Sequence, residues 1–250
     1  MDPQLEMLRE LTEAAGLPGF EHEVSGVLER MFSPLAETVG KDKLGSLIAK
    51  KTGDATGPRI MIAGHMDEVG FLVSHITDEG FLRFQTLGGW WEHVMLAQRV
   101  TVKTRKGDIP GLIGSKPPHV LSGDERRKVA DKKDMFIDIG AKDKDEVEAL
   151  GVTPGDPVVP VCPLTVMAND RYLMAKAWDN RIGCAAIVEA LRVLKEDSHP
   201  NTVFGVCTVQ EEVGLRGAIT SSEAVKPDIG IALDVCVAGD TPGIGAHEAQ

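Results

Sequence analysis

No apolar run in the sequence approaches the roughly 20 residues needed to cross a bilayer, so no membrane-spanning helix is expected. A signal peptide is not legible either. The start, Met1-Asp2-Pro3-Gln4-Leu5-Glu6, is acidic where such a peptide is basic and then apolar. Positive charge is in short supply: 27 Lys and Arg stand against 38 Asp and Glu, a net charge of −11. Phosphate binding is dominated by Lys and Arg, so this balance excludes nucleic acid as a main partner and reads as a solubility device. Cysteine is scarce. Cys162, Cys184, Cys207 and Cys236 form no C-x-x-C pair, and they read as reduced thiols of a cytoplasmic protein. Repeats and low-complexity tracts are missing too. What is present is a 42% hydrophobic content over 250 residues, enough to build a sizeable core.

Asp2 and Pro3 suit the start of a helix that stops at Gly16, with Leu5, Leu8 and Leu11 on one face. A second helix carries Val24, Val27, Leu28 and Met31 at helical spacing. Arg59 to Gly64 reads as a buried strand delivering His65-Met66-Asp67-Glu68. The middle changes texture. Phe71 to Ser74, Phe81 to Leu87, Arg99 to Thr104, Ile109 to Ile113, Met135 to Ile139 and Val158 to Val161 are short β-rich runs between Gly, Pro and Asp turns. They predict a small β-barrel or sandwich, interrupted by a short helix that Asp143 caps and Gly151 closes. Asp124 to Lys128 reads as a solvated, mobile loop. Beyond about residue 165 the α/β texture returns. A helix over Arg181 to Leu194 is followed by buried strands over Thr202 to Val209 and Ile229 to Leu233. The expected architecture is an α/β, mixed-sheet domain from 1–68 and 169–250, interrupted by a β-barrel domain over 69–168.

Three predicted strands end in residues able to hold a metal: His65, the pair Glu211-Glu212, and Asp234. Asp179 sits just before a helix. Ligands of open α/β sheets bind outside the carboxyl ends of the strands, so a shared sheet would gather these residues despite their separation. Imidazole with several carboxylates suits zinc, cobalt, manganese or iron, and two ions about 4 Å apart would share a carboxylate. Asp67 lies two residues beyond His65, on the same side of an extended segment, where it can fix the ring. Glu211 and Glu212 point different ways, so one can hold a metal while the other accepts a proton from the attacking water. Taken singly, a His after a strand is a polar loop residue and a Glu pair is a solvated turn. The agreement of four strand-end positions is what carries the reading.

Four segments resemble the motifs of the glutamyl-aminopeptidase family, which includes the tetrahedral aminopeptidases and proteins labelled cellulase M. They are Gly64 to Phe71, Ala177 to Cys184, Val209 to Ala218 and Leu233 to Val235. Gly114 to His119 and Gly239 to Gly243 match as well, so the resemblance covers essentially the whole chain. It implies a two-metal aminopeptidase acting on peptides. His65 and Asp234 would belong to different ions, Asp179 would bridge them, and Glu212 would be a further ligand. Glu211 would be the general base, Asp67 would support His65, and the Asp179–Asn180 peptide would be cis. The insert would drive homo-oligomerisation, from dimers to twelve-subunit shells.

Two features depart from that pattern. The family's last metal ligand is a His in a further C-terminal part, and His247, the only histidine after Asp234, does not match it. A catalytic domain incomplete at its C-terminus is therefore expected. Val235-Cys236-Val237 stands where relatives carry Thr-His, and Cys236 reads as packing. His119 matches a motif but the sequence assigns it no role. Other readings are a deacylase or carboxypeptidase of similar build, which acetylated peptides would distinguish, and an inactive shell component, which metal analysis would reveal. A glycosidase needs two carboxylates flanking a sugar bond, and here metals explain the carboxylates better.

Overall fold

The computed structural model describes residues 2–53, 57–245 and 247–248. The chain opens with α1 (Pro3–Glu13), where the Asp2 carboxylate accepts the Gln4 N–H and Pro3 occupies the first turn. Next come α2 (His22–Phe32), β1 (Thr38–Lys41), β2 (Leu47–Lys51) and β3 (Arg59–His65). Strands β4 (Gly70–Ile76), β5 (Leu82–Leu87), β6 (Arg99–Thr104), β7 (Gly107–Gly114) and β8 (Phe136–Asp138) follow. Then come α3 (Lys144–Ala149), β9 (Pro157–Pro160) and a small hairpin of β10 (Thr165–Val166) and β11 (Leu173–Met174). The remaining elements are α4 (Trp178–Glu196), β12 (Thr202–Thr208), α5 (Arg216–Val225) and β13 (Ile229–Ala232).

Two sheet systems result. The first is a five-stranded mixed sheet in the order β1-β2-β12-β3-β13. Strands β12, β3 and β13 run parallel, with Thr208 opposite His65 and Ala232 opposite Ala63, so their carboxyl ends lie side by side. Helices α1, α2 and α4 cover one face with Leu11, Leu28, Phe32, Ile187 and Leu191, against Leu47, Ala49 and Cys207 of the sheet. Each such fully buried aliphatic side chain contributes roughly 1.5–3 kcal/mol. Val225 of α5 packs on the other face against Met61, Phe204 and Val206.

The second system is a closed barrel, β4-β5-β8-β7-β6-β9, filled by Phe71, Val73, Leu82, Val102, Ile113 and Ile137. Alternating strand residues point inward, and six short strands suffice to close on a side-chain core. Helix α3 is capped as its sequence implies: the Asp143 carboxylate accepts the Glu146 N–H at 2.9 Å. Ala15, Leu17 and Val159 form a small apolar contact between barrel and sheet unit. The charged run near Asp124 is exposed and forms a 3₁₀ turn over Glu125–Arg127.

Some sequence expectations need correction. Strand β13 is exposed throughout, because it lies at the edge of the sheet, and its apolar run does not make it buried. Cys236 is exposed and does not serve as packing, whereas Cys184 and Cys207 are fully buried. Strands β1 and β2 and helix α5 were not legible in the sequence.

Candidate metal centre

His65 ends β3, and its parallel neighbours bring the other residues to it. Gly64 is what lets α4 approach. A Cβ there would sit 3.2 Å from the backbone carbon of Gly183, a distance that real side chains rarely tolerate. Helix α4 therefore crosses β3 backbone to backbone, and Asp179 in its first turn reaches the end of the strand. Asp179 and Asn180 depart from helical geometry, and the peptide between them is cis, as the family resemblance implies. The Asn180 amide donates to the carbonyl of Leu233 at 2.7 Å, which ties the segment before Asp234 to the same turn. Ala177 and Gln210, both with φ of 55°, adopt left-handed backbone just ahead of Trp178-Asp179 and Glu211-Glu212. Non-glycine residues hold that conformation only where surrounding contacts enforce it.

The resulting distances are short. His65 Nε2 lies 2.9 Å from Asp179 Oδ1 and 3.8 Å from Glu211 Oε2. Donor atoms of His65, Glu211 and Glu212 all lie within 4.8 Å of one another, and so do those of His65, Asp179 and Asp234. The five sequence-selected side chains thus form two adjoining donor groups that share His65. Asp67, fully buried, stands behind them. His65 Nδ1 faces its carbonyl at 3.2 Å and its carboxylate at 3.4 Å. An Nδ1–H donated in that direction leaves Nε2 free as a ligand atom.

Asp67 does a second job that sequence reasoning missed. Its two oxygens accept the backbone N–H groups of Glu211 at 3.0 Å and Glu212 at 3.1 Å, so one carboxylate sets both His65 and the glutamate pair. Glu21 assists: it accepts the N–H groups of Gly19 at 2.9 Å and Gln210 at 3.1 Å, and burial pushes its carboxyl above the usual range. Three further residues were missed. Glu68 is buried against Lys176, whose Nζ lies 2.6 and 2.8 Å from its two oxygens, and Arg181 Nη2 approaches it at 3.4 Å. Arg181 also donates to the carbonyls of Leu11 and Ala14, so the end of α1 is held by the residue that follows Asn180. The available signal was charge inside apolar surroundings, at Glu68 beside Asp67 and at Arg181 beside Asn180.

The electrostatics fit a cation. Burial opposes charge on His65, but Asp67, Glu211 and Asp179 outweigh it and push the ring up to about 9. Burial and the neighbouring Asp179 push Glu212 up to about 7. Burial likewise raises Glu211, with Asp67, Asp234 and Asp179 adding to the rise and His65 opposing it. A cluster that retains protons in this way carries negative charge that its own side chains do not neutralise. Divalent ions would neutralise it, and one imidazole with four carboxylates is a donor set for zinc, cobalt or manganese. His93 and His119 are exposed, in short 3₁₀ turns of the barrel segment, and belong to neither donor group.

Fold and site together define the class: a mixed α/β protein with a cation-competent centre at its strand ends and a closed barrel alongside. The sequence pattern of the M42 glutamyl aminopeptidase family matches residues 45–250, and a second pattern, AMPT, matches residues 2–28. The chain belongs to the M42 family. It is 46% identical over 241 residues to the Escherichia coli protein FrvX, covering 96% of this chain and 66% of that one. The crystal structure of a TET aminopeptidase from a marine sediment Thaumarchaeota archaeon superposes with a TM-score of 0.96 at 52% identity, over 99% of this chain and 69% of that one. The Pyrococcus horikoshii TET1 peptidase, described as assembling into a tetrahedron or a large octahedral shell, gives a TM-score of 0.85 at 34% identity, over 97% and 72%. The chain spans about two thirds of the length of the curated relatives it matches.

Proposed function

We propose that the protein is a metal-dependent aminopeptidase that removes single residues from the free N-termini of peptides. The observation that carries this reading is the convergence of His65, Asp179, Glu211, Glu212 and Asp234 at adjacent strand ends. His65, Asp179, Glu212 and Asp234 would hold two divalent ions, zinc, cobalt or manganese, with Asp179 shared. When bound, such ions polarise the scissile carbonyl and acidify water.

The protein's own groups supply the rest. Glu211 accepts the proton of the attacking water and returns it to the departing amine. Its affinity for protons is raised, first by burial, which favours its taking up a proton. Asp67 holds the Glu211 and Glu212 backbone and the His65 ring, so these groups need not reorganise during the reaction. The barrel unit over 69–168 would serve assembly into a homo-oligomer, from a dimer up to a dodecamer. The similarity to a shell-forming peptidase supports that role. No helix among the described residues is long and apolar enough to cross a membrane, and we place the protein in the cytoplasm with peptides as its substrates.

The test combines metal analysis with turnover. Metal-loaded protein is expected to cleave a dipeptide with a free amine and to leave its N-acetylated counterpart intact. Glu211→Gln, which keeps the shape of the side chain but cannot take up a proton, is expected to retain metal and lose about 10²- to 10⁴-fold in kcat. Cleavage of the acetylated peptide would move the protein to another hydrolase class, and near-parental turnover by Glu211→Gln would reassign the base.

A further inference from the structure

A cavity of about 550 Å³, within the usual size range for ligand pockets, opens beside the metal centre. Its lining includes the metal-competent carboxylates Asp179 and Glu212. It also includes the aromatic residues Trp90 and Trp178 and the buried pair Glu68–Lys176. The barrel contributes directly to this wall. Gly88, at the end of β5, has φ of 77°, and a Cβ there would stand 3.1 Å from Glu212 Oε2 and 2.5 Å from Val69 Cγ1. The segment Gly88-Gly89-Trp90 is thus pressed against a candidate metal ligand. Trp90 is held in place by stacking on Phe71, with ring centroids 4.5 Å apart and planes inclined at 30°. Its buried indole N–H finds no acceptor among the described residues.

The charge state of the lining indicates what fits. Lys176 is the one cation among the lining residues, and its three ammonium protons are matched by the Ala14 carbonyl and the two oxygens of Glu68. No cation of the lining is left uncommitted to meet an acidic guest. The aromatic faces of Trp90 and Trp178, with Val69 and Pro160, offer apolar area instead. The buried Glu68–Lys176 pair stands in the cavity wall with its charges committed to each other, which leaves the aromatic surface as what a guest side chain would meet.

We infer that this cavity receives the side chain of the substrate's N-terminal residue, that it selects bulky neutral side chains over acidic ones, and that Trp90 of the barrel is a specificity-determining residue. The inference rests on the aminopeptidase reading. It gives the barrel a part in substrate choice besides any part in assembly.

Aminoacyl p-nitroanilides of Ala, Leu, Phe and Glu, assayed with metal-loaded protein, test it. The parent is expected to favour Leu and Phe over Glu by at least about tenfold in kcat/KM, the scale on which pockets discriminate side chains. Trp90→Leu is expected to reduce the Phe-to-Ala ratio by about tenfold. Gln98→Arg, which adds an uncommitted cation to the lining, is expected to raise the Glu-to-Leu ratio by a similar factor. Ratios report selectivity even if a variant is less active overall. A parent that prefers Glu, a Trp90→Leu variant that slows every substrate equally, or selectivity that follows the second residue in a dipeptide series would overturn the inference. If no substrate is cleaved, the aminopeptidase reading fails, and the cavity is tested by indole fluorescence. Quenching by free leucine, weaker with glutamate and lost in Trp90→Leu, would support it; no leucine-dependent change would refute it.

Discussion

One oxygen of Asp67 accepts the backbone N–H of Glu212 at 3.1 Å, while the other accepts that of Glu211 at 3.0 Å. A side chain with no solvent exposure therefore fixes two candidate functional residues through their main chain, and it faces His65 as well. This explains how the loop after β12 can hold two adjacent glutamates at the strand ends. The turn itself is strained at Gln210, and the carboxylate offsets part of that cost.

Asp67→Asn should loosen the centre without unfolding the protein. The amide can accept from one of the two backbone N–H groups, but its NH₂ would face the other, donor against donor. Groups that orient metal ligands from behind typically matter by about 10- to 100-fold in metal affinity, and a loss on that scale is expected here. Competition with a chromophoric zinc chelator measures it. An affinity within twofold of the parent would mean that the turn is held by its own backbone.

Arg181→Met should cost more in stability than in chemistry. Arg181 is completely buried and donates to the carbonyls of Leu11 and Ala14, besides approaching Glu68. Methionine fills similar space but removes the guanidinium donor from the Leu11 carbonyl and leaves the Ala14 carbonyl and Glu68 with Lys176 alone. Breaking a buried charged contact by removing one partner typically costs about 3–5 kcal/mol. Urea unfolding should show a loss of that order. A loss below about 1 kcal/mol would indicate that water reaches the end of α1 and replaces the guanidinium.

The strands that carry the site were legible because each is an apolar run that stops abruptly at charge: Ala63-Gly64 before His65, Thr208-Val209 before Gln210-Glu211, Leu233 before Asp234. The barrel was legible from six short β-rich runs. Strand β2 was not, since Leu47-Ile48-Ala49 passes into Lys50-Lys51 and its burial comes from tertiary partners, β1 and β12 beside it and the helices packed on Leu47 and Ala49. Helix α5 contains Gly217, Thr220, Ser221 and Ser222, all poor helix formers, and tertiary contact at Val225 helps to hold it. The Glu68–Lys176–Arg181 cluster joins separate stretches of sequence. A sequence shows that charges exist but not which of them the fold buries together.

Stability of the metal-free protein is expected to fall between about pH 4 and pH 9, the window bounded by the unfolded-chain value of Glu212 and the folded-state value of His65. His65 titrates at about 9 in the fold, because Asp67 and its neighbours outweigh burial, whereas an unfolded His titrates near 6.5. Its stabilising contribution is complete below the unfolded value and is lost as pH rises through about 9. Glu212 is raised to about 7, first by burial and then by Asp179, against roughly 4.3 in the unfolded chain. Its ionisation is therefore disfavoured in the fold, and stability declines as pH rises from the unfolded value through about 7. Both groups act in the same direction, since the folded state binds more protons than the unfolded one across this range. A divalent cation must displace those protons to bind, so its affinity rises with pH over the same interval. Thermal midpoints measured in EDTA and in excess zinc should therefore diverge: the chelated protein melts earlier at higher pH, and the stabilisation by zinc grows. A chelated midpoint that is flat or rising between these limits would mean that His65 and Glu212 are not held among uncompensated carboxylates, and the electrostatic case for a cation at this centre would fail with it.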